Sequence, residues 1–215
     1  MNKIGVGMLF VGLALSAFFM VAYATGSVEL PIAPEWFSVG SQISIVILAL
    51  PLIIGTWNWA KLRGLLMLVG MGAYAIFIES IAIWTKLPYG GFVYGDLIGE
   101  PIGVVPWTVA LSWLPIMMFA WLLVRPMALW WQRVGLGAVL MMIFDLVLDP
   151  GATRLGFWIW DQPGGFYDVP WLNFFGWIVT SVIGLALWEW GRPKKNLSAQ
   201  PIQWLGLSGV VGLAL

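Results

Sequence analysis

The sequence contains no cysteine and no histidine among its 215 residues. Without thiols there are no disulfide bonds and no thiolate nucleophiles, and without imidazoles the commonest general base is missing. The usual ligand sets of zinc, haem and iron–sulfur clusters are absent for the same reason. Side-chain chemistry must therefore come from carboxyl, hydroxyl, amide, basic and aromatic groups, and we expect no metal ion and no cofactor.

Charge is also scarce. Charged residues make up 9% of the chain and hydrophobic residues 61%, whereas soluble domains carry roughly 25% charged residues. A water-soluble fold is therefore excluded. Ten basic residues balance ten acidic ones, so there is no net positive field to attract nucleic acid, and no nucleic-acid partner is expected.

Long apolar runs predict an all-α fold, a single polytopic integral membrane helix bundle with about seven transmembrane spans. A span needs roughly 20 apolar residues to cross about 30 Å of hydrocarbon. Such runs occur near residues 4–25, 41–58, 63–84, 106–124, 128–148, 171–190 and 202–215. The last run would rise only about 21 Å, so we expect a span that is short or truncated.

The basic residues predict the orientation of these spans. Alternating seven spans places eight of the ten basic residues on one side, and the positive-inside rule makes that side cytoplasmic. The eight residues are Lys3, Lys61, Arg63, Arg125, Arg133, Arg192, Lys194 and Lys195. The N-terminus is then cytoplasmic, in a prokaryotic plasma membrane or, equally compatible, a thylakoid.

Tryptophan is unusually abundant, with 16 residues. Fourteen lie near predicted span ends, where aromatic belts at the membrane interface explain them. They include Trp59, Trp121, Trp158, Trp160 and Trp188. Trp113 and Trp177 fall deeper, which leaves two interpretations: ordinary packing in the bundle, or the wall of an apolar substrate cavity.

Two long segments on the predicted outer face are rich in glycine, proline and aromatic residues. They cover residues 85–105 and 149–170, and this composition predicts structured turns. We expect Pro150 to end the fifth span. Because irregular backbone is not tolerated in lipid, these segments must lie at the headgroups or fold back as a lid. A site that opens toward the extracytoplasmic face is therefore predicted.

Carboxyls within the membrane are rare and costly, so each is a functional hypothesis. Glu79, Asp145 and Asp149 fall at one predicted depth, and the four-residue spacing puts the two aspartates on one helix face. Convergence of the three in one outer pocket is one interpretation. The other is that the aspartates fix the outer loops through Arg154 or backbone N–H groups. Glu189 is expected to pair with Arg192 at the opposite interface.

Carboxyls in apolar surroundings suit a reaction that needs only a proton and water. A protonated member acts as acid and an ionised one as base. Protonating a trisubstituted alkene gives a tertiary cation, which aromatic faces stabilise. Glu79 or Asp145 is the candidate acid, and Asp149 or Asp96 would assist the water. Trp113, Trp177 and Phe175 are candidate walls, whereas Tyr89, Tyr94, Tyr167 and Asn173 would hold the water or simply make structural hydrogen bonds.

Two blocks of sequence carry a family resemblance. The first is residues 79–94, ESIAIWTKLPYGGFVY, followed by Val105, Pro106 and Trp113. The second runs from Asp145 to Trp177 and includes Asp149-Pro150 and Asn173. Together they resemble the carotenoid biosynthesis membrane protein family, which includes the bacterioruberin-precursor and γ-carotene 1,2-hydratases.

The resemblance implies a carotenoid 1,2-hydratase. Such an enzyme adds water, without a cofactor, to the terminal 1,2 double bond of an acyclic carotenoid ψ-end and forms a tertiary alcohol. The implied partners are a lipid-dissolved carotenoid, membrane lipid and other enzymes of the carotenoid pathway. A carotenoid is about as long as the bilayer is thick, roughly 30 Å, so we expect it to enter sideways from lipid.

Three alternatives remain open at this point. A carotenoid end-group cyclase or isomerase would begin with the same protonation and exclude water. A transporter or proton relay would use Glu79, Asp145 and Glu189 as a path across the membrane. However, no ionisable side chain is expected in the middle of the bilayer, between the depth of the outer carboxyls and that of Glu189. A pigment-binding protein would tolerate loss of the carboxyls.

Overall fold

The computed structural model describes residues 34–194, with side chains from Ser38 onward. Four helices occupy most of this part of the chain: α1 (Pro34–Thr85), α2 (Val109–Val124), α3 (Trp130–Leu155) and α4 (Trp171–Gly191). The predicted spans near 4–25 and 202–215 lie outside the described residues.

Helix α1 is two helical arms joined by a sharp reversal at Lys61. Lys61 has φ 51° and ψ −142°, which no helix accommodates. A straight helix would separate Ile45 from Glu79 by about 51 Å at 1.5 Å per residue, yet both side chains line one cavity. The predicted division between spans 41–58 and 63–84 matches this break.

Between residues 34 and 194, three helices are long and apolar enough to cross a membrane. They cover Ser38–Thr85, Trp130–Leu155 and Trp171–Gly191, which confirms a helical membrane protein. Helix α2 is apolar but has 16 residues, a rise of about 24 Å. It begins three residues later than predicted because Val105–Pro106 forms a short strand instead.

The prediction that Pro150 ends its helix is wrong, because α3 continues to Leu155. A proline removes one backbone hydrogen bond, and neighbouring helices compensate for this in membrane bundles. The helix ends instead at Gly156, whose φ of 75° is left-handed and whose N–H bonds to the carbonyls of Ala152 and Thr153. Asp149 therefore lies well inside α3, on the same helix as Asp145.

The two long loop segments are joined by short antiparallel strands. Strand β1 (Phe92–Tyr94) pairs with β4 (Trp158–Trp160), and β2 (Pro101–Ile102) pairs with β3 (Val105–Pro106). Beside the first pair, the exposed side chains of Lys86 and Asp161 form an ion pair of 2.6 Å. The predicted structured turns are confirmed, and we call the end of the bundle that carries β1 and β4 the strand end.

The opposite end of the bundle is held by a buried ion cluster, and we call it the ion-pair end. Arg133 binds Glu189 through two hydrogen bonds of 2.9 and 2.8 Å, and Arg192 approaches the same carboxylate at 3.2 Å. The indole N–H of Trp121 donates to Glu189 at 2.7 Å. The predicted pairing with Arg192 is confirmed, and Arg133 is a further partner.

Several tryptophans assigned to interfacial belts are core residues instead. Trp59, Trp121 and Trp188 are buried and pack together, with ring centroids 5.7 to 6.3 Å apart. Position near a span end did not distinguish a lipid-facing ring from one turned into the bundle, because helix rotation is set by packing. By contrast, Trp57, Trp130, Trp131 and Trp190 are exposed on the helices, as a belt requires.

Candidate functional site

A cavity of about 150 Å³ lies at the strand end, between the helices and the β1–β4 pair. Its lining is mostly apolar and aromatic. Carboxyls enter it from two helices: Glu79 from α1, and Asp145 and Asp149 from α3. These side chains are only 5%, 3% and 2% exposed. The structure therefore brings the three carboxyls together in one pocket, which is the first of the two interpretations of the sequence.

Asn173 connects the two aspartates. It lies in the first turn of α4, and its side-chain N–H₂ group donates to Asp145 Oδ2 at 2.7 Å and to Asp149 Oδ2. Asp145 and Asp149 are one helical turn apart, so a single amide reaches both. This arrangement fixes the two carboxyls side by side in the cavity wall.

Glu79 has a different neutral partner. The phenol of Tyr94, on strand β1, donates to Glu79 Oε2 at 3.1 Å. Burial raises the pKa of Tyr94 well above its usual range, and the nearby carboxyl of Glu79 adds to the effect. The phenol therefore stays protonated and remains a hydrogen-bond donor to Glu79.

Tyr89 closes the cavity on the α4 side. Its hydroxyl donates to Thr180 Oγ1 at 2.9 Å, and Thr180 in turn donates to the carbonyl of Gly176 at 3.0 Å. A side chain at Gly176 would meet the ring of Tyr89 and, at 2.7 Å, the carbonyl oxygen of Pro88. Glycine is thus required here for the loop to approach the helix.

Aromatic rings form the walls of the cavity. Trp113 and Trp177 stack at 4.9 Å with an interplanar angle of 17°. The strand pair adds Trp158, which meets the edge of Tyr94 at 6.2 Å, and Trp160, which lies 5.2 Å from Phe92. Ring faces carry negative electrostatic potential, so walls of this kind favour a cation in the cavity.

Eight of the eleven residues predicted for the site line this cavity: Glu79, Asp145, Asp149, Trp113, Trp177, Tyr89, Tyr94 and Asn173. The other three lie elsewhere. Asp96 is exposed and outside the cavity lining, and its backbone carbonyl accepts a hydrogen bond from Ser38 Oγ at 3.1 Å. Phe175 is 64% exposed and Tyr167 is 75% exposed, both outside the cavity lining.

Sequence reasoning missed several lining residues, above all Trp158 and Trp160, which were assigned to an interfacial belt. A signal was present: the two tryptophans flank Ile159, and side chains two apart on a strand share a face. Ile159 is 58% exposed on the other face. Recognising residues 158–160 as a strand would have placed both rings in the site.

The described residues offer no site for a metal ion, since no cluster of three or more acidic side chains has a suitable arrangement between residues 34 and 194. No lysine or arginine is among the described residues that line the cavity. The polar groups at hand are carboxyls, hydroxyls, indoles and one amide, which can move a proton and hold a water molecule.

Comparison with known proteins identifies the family of the chain. The family model described as carotenoid biosynthesis protein matches residues 37–213. The chain belongs to this family. The bisanhydrobacterioruberin hydratase of Haloarcula japonica is 35% identical over 159 residues, which cover 70% of this chain and 53% of that protein. The chain thus spans about half the length of this curated relative. No solved structure matches the chain.

Proposed function

We propose that this carotenoid biosynthesis protein is a hydratase that adds water, without a cofactor, to the terminal 1,2 double bond of an acyclic carotenoid ψ-end. The observation that carries the proposal is the convergence of Glu79, Asp145, Asp149 and Asn173 in a small, aromatic-walled cavity. The hydratase named among its relatives supports the same reaction class. Hydration changes no oxidation state overall, so a proton and water suffice.

Glu79 is the proton donor. Transfer of its proton to carbon 2 of the substrate leaves a carboxylate, and that carboxylate keeps the hydrogen bond from Tyr94. A hydrogen bond to the charged form stabilises it. Taking the proton from Glu79, and not from a member of the aspartate pair, also avoids leaving two adjacent aspartate anions in an apolar cavity, which is costly.

The cation forms at carbon 1 when the π electrons of the double bond take up the proton. It is tertiary, and the stacked Trp113 and Trp177, together with Tyr94 and Phe92, present the aromatic lining that stabilises it. The carboxylates on either side add electrostatic stabilisation in a cavity of low dielectric.

Asp149 is the base. The oxygen of a water molecule bonds to carbon 1 while one of its protons passes to the Asp149 carboxylate. Asp145 holds a proton of its own and shares the amide of Asn173 with Asp149, so the pair carries a single negative charge. Return of the proton from Asp149 to Glu79 resets the site, and the net change is the addition of one water.

The cavity is sized for one end of the substrate. An apolar cavity of about 150 Å³ holds a molecule the size of benzene, whereas a carotenoid is roughly as long as the bilayer is thick. The remainder of the polyene leaves past the apolar side chains of Ile45, Leu48 and Leu148 into lipid. By the distribution of basic residues, the strand end faces away from the cytoplasm of a prokaryote.

The test is pigment analysis in a bacterium that accumulates lycopene or γ-carotene and expresses this chain. We expect a product heavier by one water, absent with Glu79→Gln, which removes the acid, and with Asp149→Asn, which removes the base. The matched control is Asp96→Asn, which removes an exposed carboxylate outside the cavity and should keep the product. An isomer of unchanged mass would indicate a cyclase or isomerase, and unchanged pigment with well-expressed protein would contradict an enzymatic role.

A further inference from the structure

Two tryptophans on strand β4 face the cavity but differ in what their indole N–H groups contact. Trp160 Nε1 donates to Thr153 Oγ1 at 3.0 Å. Trp158 Nε1 is buried and has no hydrogen-bond acceptor within the described part of the chain. Buried donors are nearly always satisfied in native proteins, by protein, ligand or water. Since no described residue accepts from the Trp158 N–H, a water or ligand molecule is the acceptor that this part of the chain leaves room for.

The surroundings of Trp158 specify that partner. The carboxyl of Asp149 is near enough to interact with the indole but not in hydrogen-bond geometry with it. Asp149 accepts a hydrogen bond from Asn173, and the indole ring of Trp158 packs at right angles to the ring of Tyr94. A small group that accepts from Trp158 and donates to Asp149 satisfies both, and water has that combination.

We infer that the Trp158 indole N–H positions the water molecule that attacks the substrate, with Asp149 as the base for the same water. This inference rests on the proposed hydratase function. In the addition, the water oxygen forms the bond to carbon 1, the O–H bond facing Asp149 breaks, and that proton goes to the carboxylate. The indole donates to the oxygen throughout and exchanges no proton, and it then holds the hydroxyl of the product.

The inference predicts which step fails when the N–H is lost. Without it, Glu79 still protonates carbon 2, but the cation is captured less often and instead loses a proton to return an alkene. In D₂O that alkene carries deuterium. The ratio of deuterated, unhydrated carotenoid to hydrated product therefore reports on water capture and is insensitive to the amount of folded protein.

The experiment uses membranes that contain the full chain, incubated in D₂O with lycopene, and compares Trp158→Phe with Trp84→Phe. Both changes remove one indole, but Trp84 is 70% exposed and lies outside the cavity lining. For Trp158→Phe we expect hydrated product to fall on the order of tenfold, the effect of one hydrogen bond, while the deuterated alkene rises. For Trp84→Phe the ratio should stay at the wild-type value.

A second variant separates the loss of the N–H group from the loss of the ring's shape. Replacing Trp158 with β-(3-benzothienyl)alanine puts sulfur in place of the N–H and leaves the bicyclic ring intact, so the same change in ratio is expected. Unchanged hydration in this variant would overturn the inference, as would a fall in hydrated and deuterated products together at constant ratio. If the wild-type protein forms no hydrated product at all, the proposed function itself fails.

Discussion

Both ends of the helix bundle bury carboxyl groups, but the two ends give them opposite kinds of partner. At the ion-pair end, Glu189 is held by the guanidinium groups of Arg133 and Arg192 and by the Trp121 indole. At the strand end, Glu79 is held by a phenol and the two aspartates share an amide. At the ion-pair end the carboxylate is paired with cations, whereas at the strand end the carboxyls line a cavity.

The difference separates structural from chemical use of the same functional group. A carboxylate paired with two cations has no reason to take up a proton, and removing it would leave those cations unpaired. Carboxyls with neutral partners in an apolar cavity can take up and release a proton at modest cost. Partner charge, rather than burial alone, distinguishes the candidate site from the anchor at the other end.

The largest expected effect comes from removing the candidate acid. Glu79→Gln keeps the size of the side chain and abolishes proton donation, so hydrated product per folded molecule should fall roughly 100-fold or more. The measurement is product formation normalised to folded protein in detergent. Asp96→Asn is the control. Wild-type activity in Glu79→Gln would contradict the assignment of proton transfer to the strand end.

At the ion-pair end, the corresponding change should affect stability and not chemistry. Glu189→Gln leaves Arg133 and Arg192 without their carboxylate, and breaking such a buried pair costs about 3–5 kcal/mol in free energy of unfolding. Denaturant unfolding in micelles measures this, with the exposed Arg63→Gln as a control. A drop in activity per folded molecule as steep as that of Glu79→Gln would contradict the comparison.

Packing at the strand end gives a smaller effect. Gly176→Ala would push against Tyr89 and the Pro88 carbonyl, and overpacking of this kind typically costs about 1–3 kcal/mol. Unfolding midpoints should fall, with activity reduced because Tyr89 lines the site. Gly135 in α3 meets nothing within 4 Å, so Gly135→Ala should be neutral or slightly stabilising. Equal effects at both glycines would mean that the loop does not approach α4 so closely.

The smallest effect should come from the exposed ion pair. Lys86 and Asp161 meet at 2.6 Å, but their side chains are 68% and 39% exposed, and such pairs contribute about 0–1 kcal/mol. Lys86→Met should therefore change the unfolding free energy by less than about 1 kcal/mol and leave activity near the wild-type level. A loss of unfolding free energy as large as that of Glu189→Gln would show that burial does not determine how much each ion pair contributes to stability.

The fold was predictable where apolar runs and loop charges set it. The reversal at Lys61 follows from a basic break between two runs, and α4 follows from an uninterrupted one. The end of α3 was not predictable, because whether a helix passes through Pro150 depends on neighbouring helices. Nor was the pairing of β1 with β4: each has three residues, and they are brought together by tertiary structure alone.

Within the site, residue type was a good guide and orientation was not. Glu79, Asp145 and Asp149 were chosen because carboxyls in apolar spans are costly and rare, and Asn173 because its amide can hold a water molecule. Tyr167 and Phe175 were chosen by type as well, yet their side chains point away from the cavity. Rotation about a helix or loop axis decides such cases, and a single sequence contains little information on it.

The most direct test of the account is the origin of the oxygen in the product. Purified protein in lipid nanodiscs would be given lycopene in water enriched in oxygen-18, with no added cofactor, and the product analysed by mass spectrometry. We predict a tertiary alcohol that carries the heavy oxygen, formed by the wild-type protein and not by Glu79→Gln. An unlabelled oxygen, or an isomer without added oxygen, would contradict hydration at the strand-end cavity.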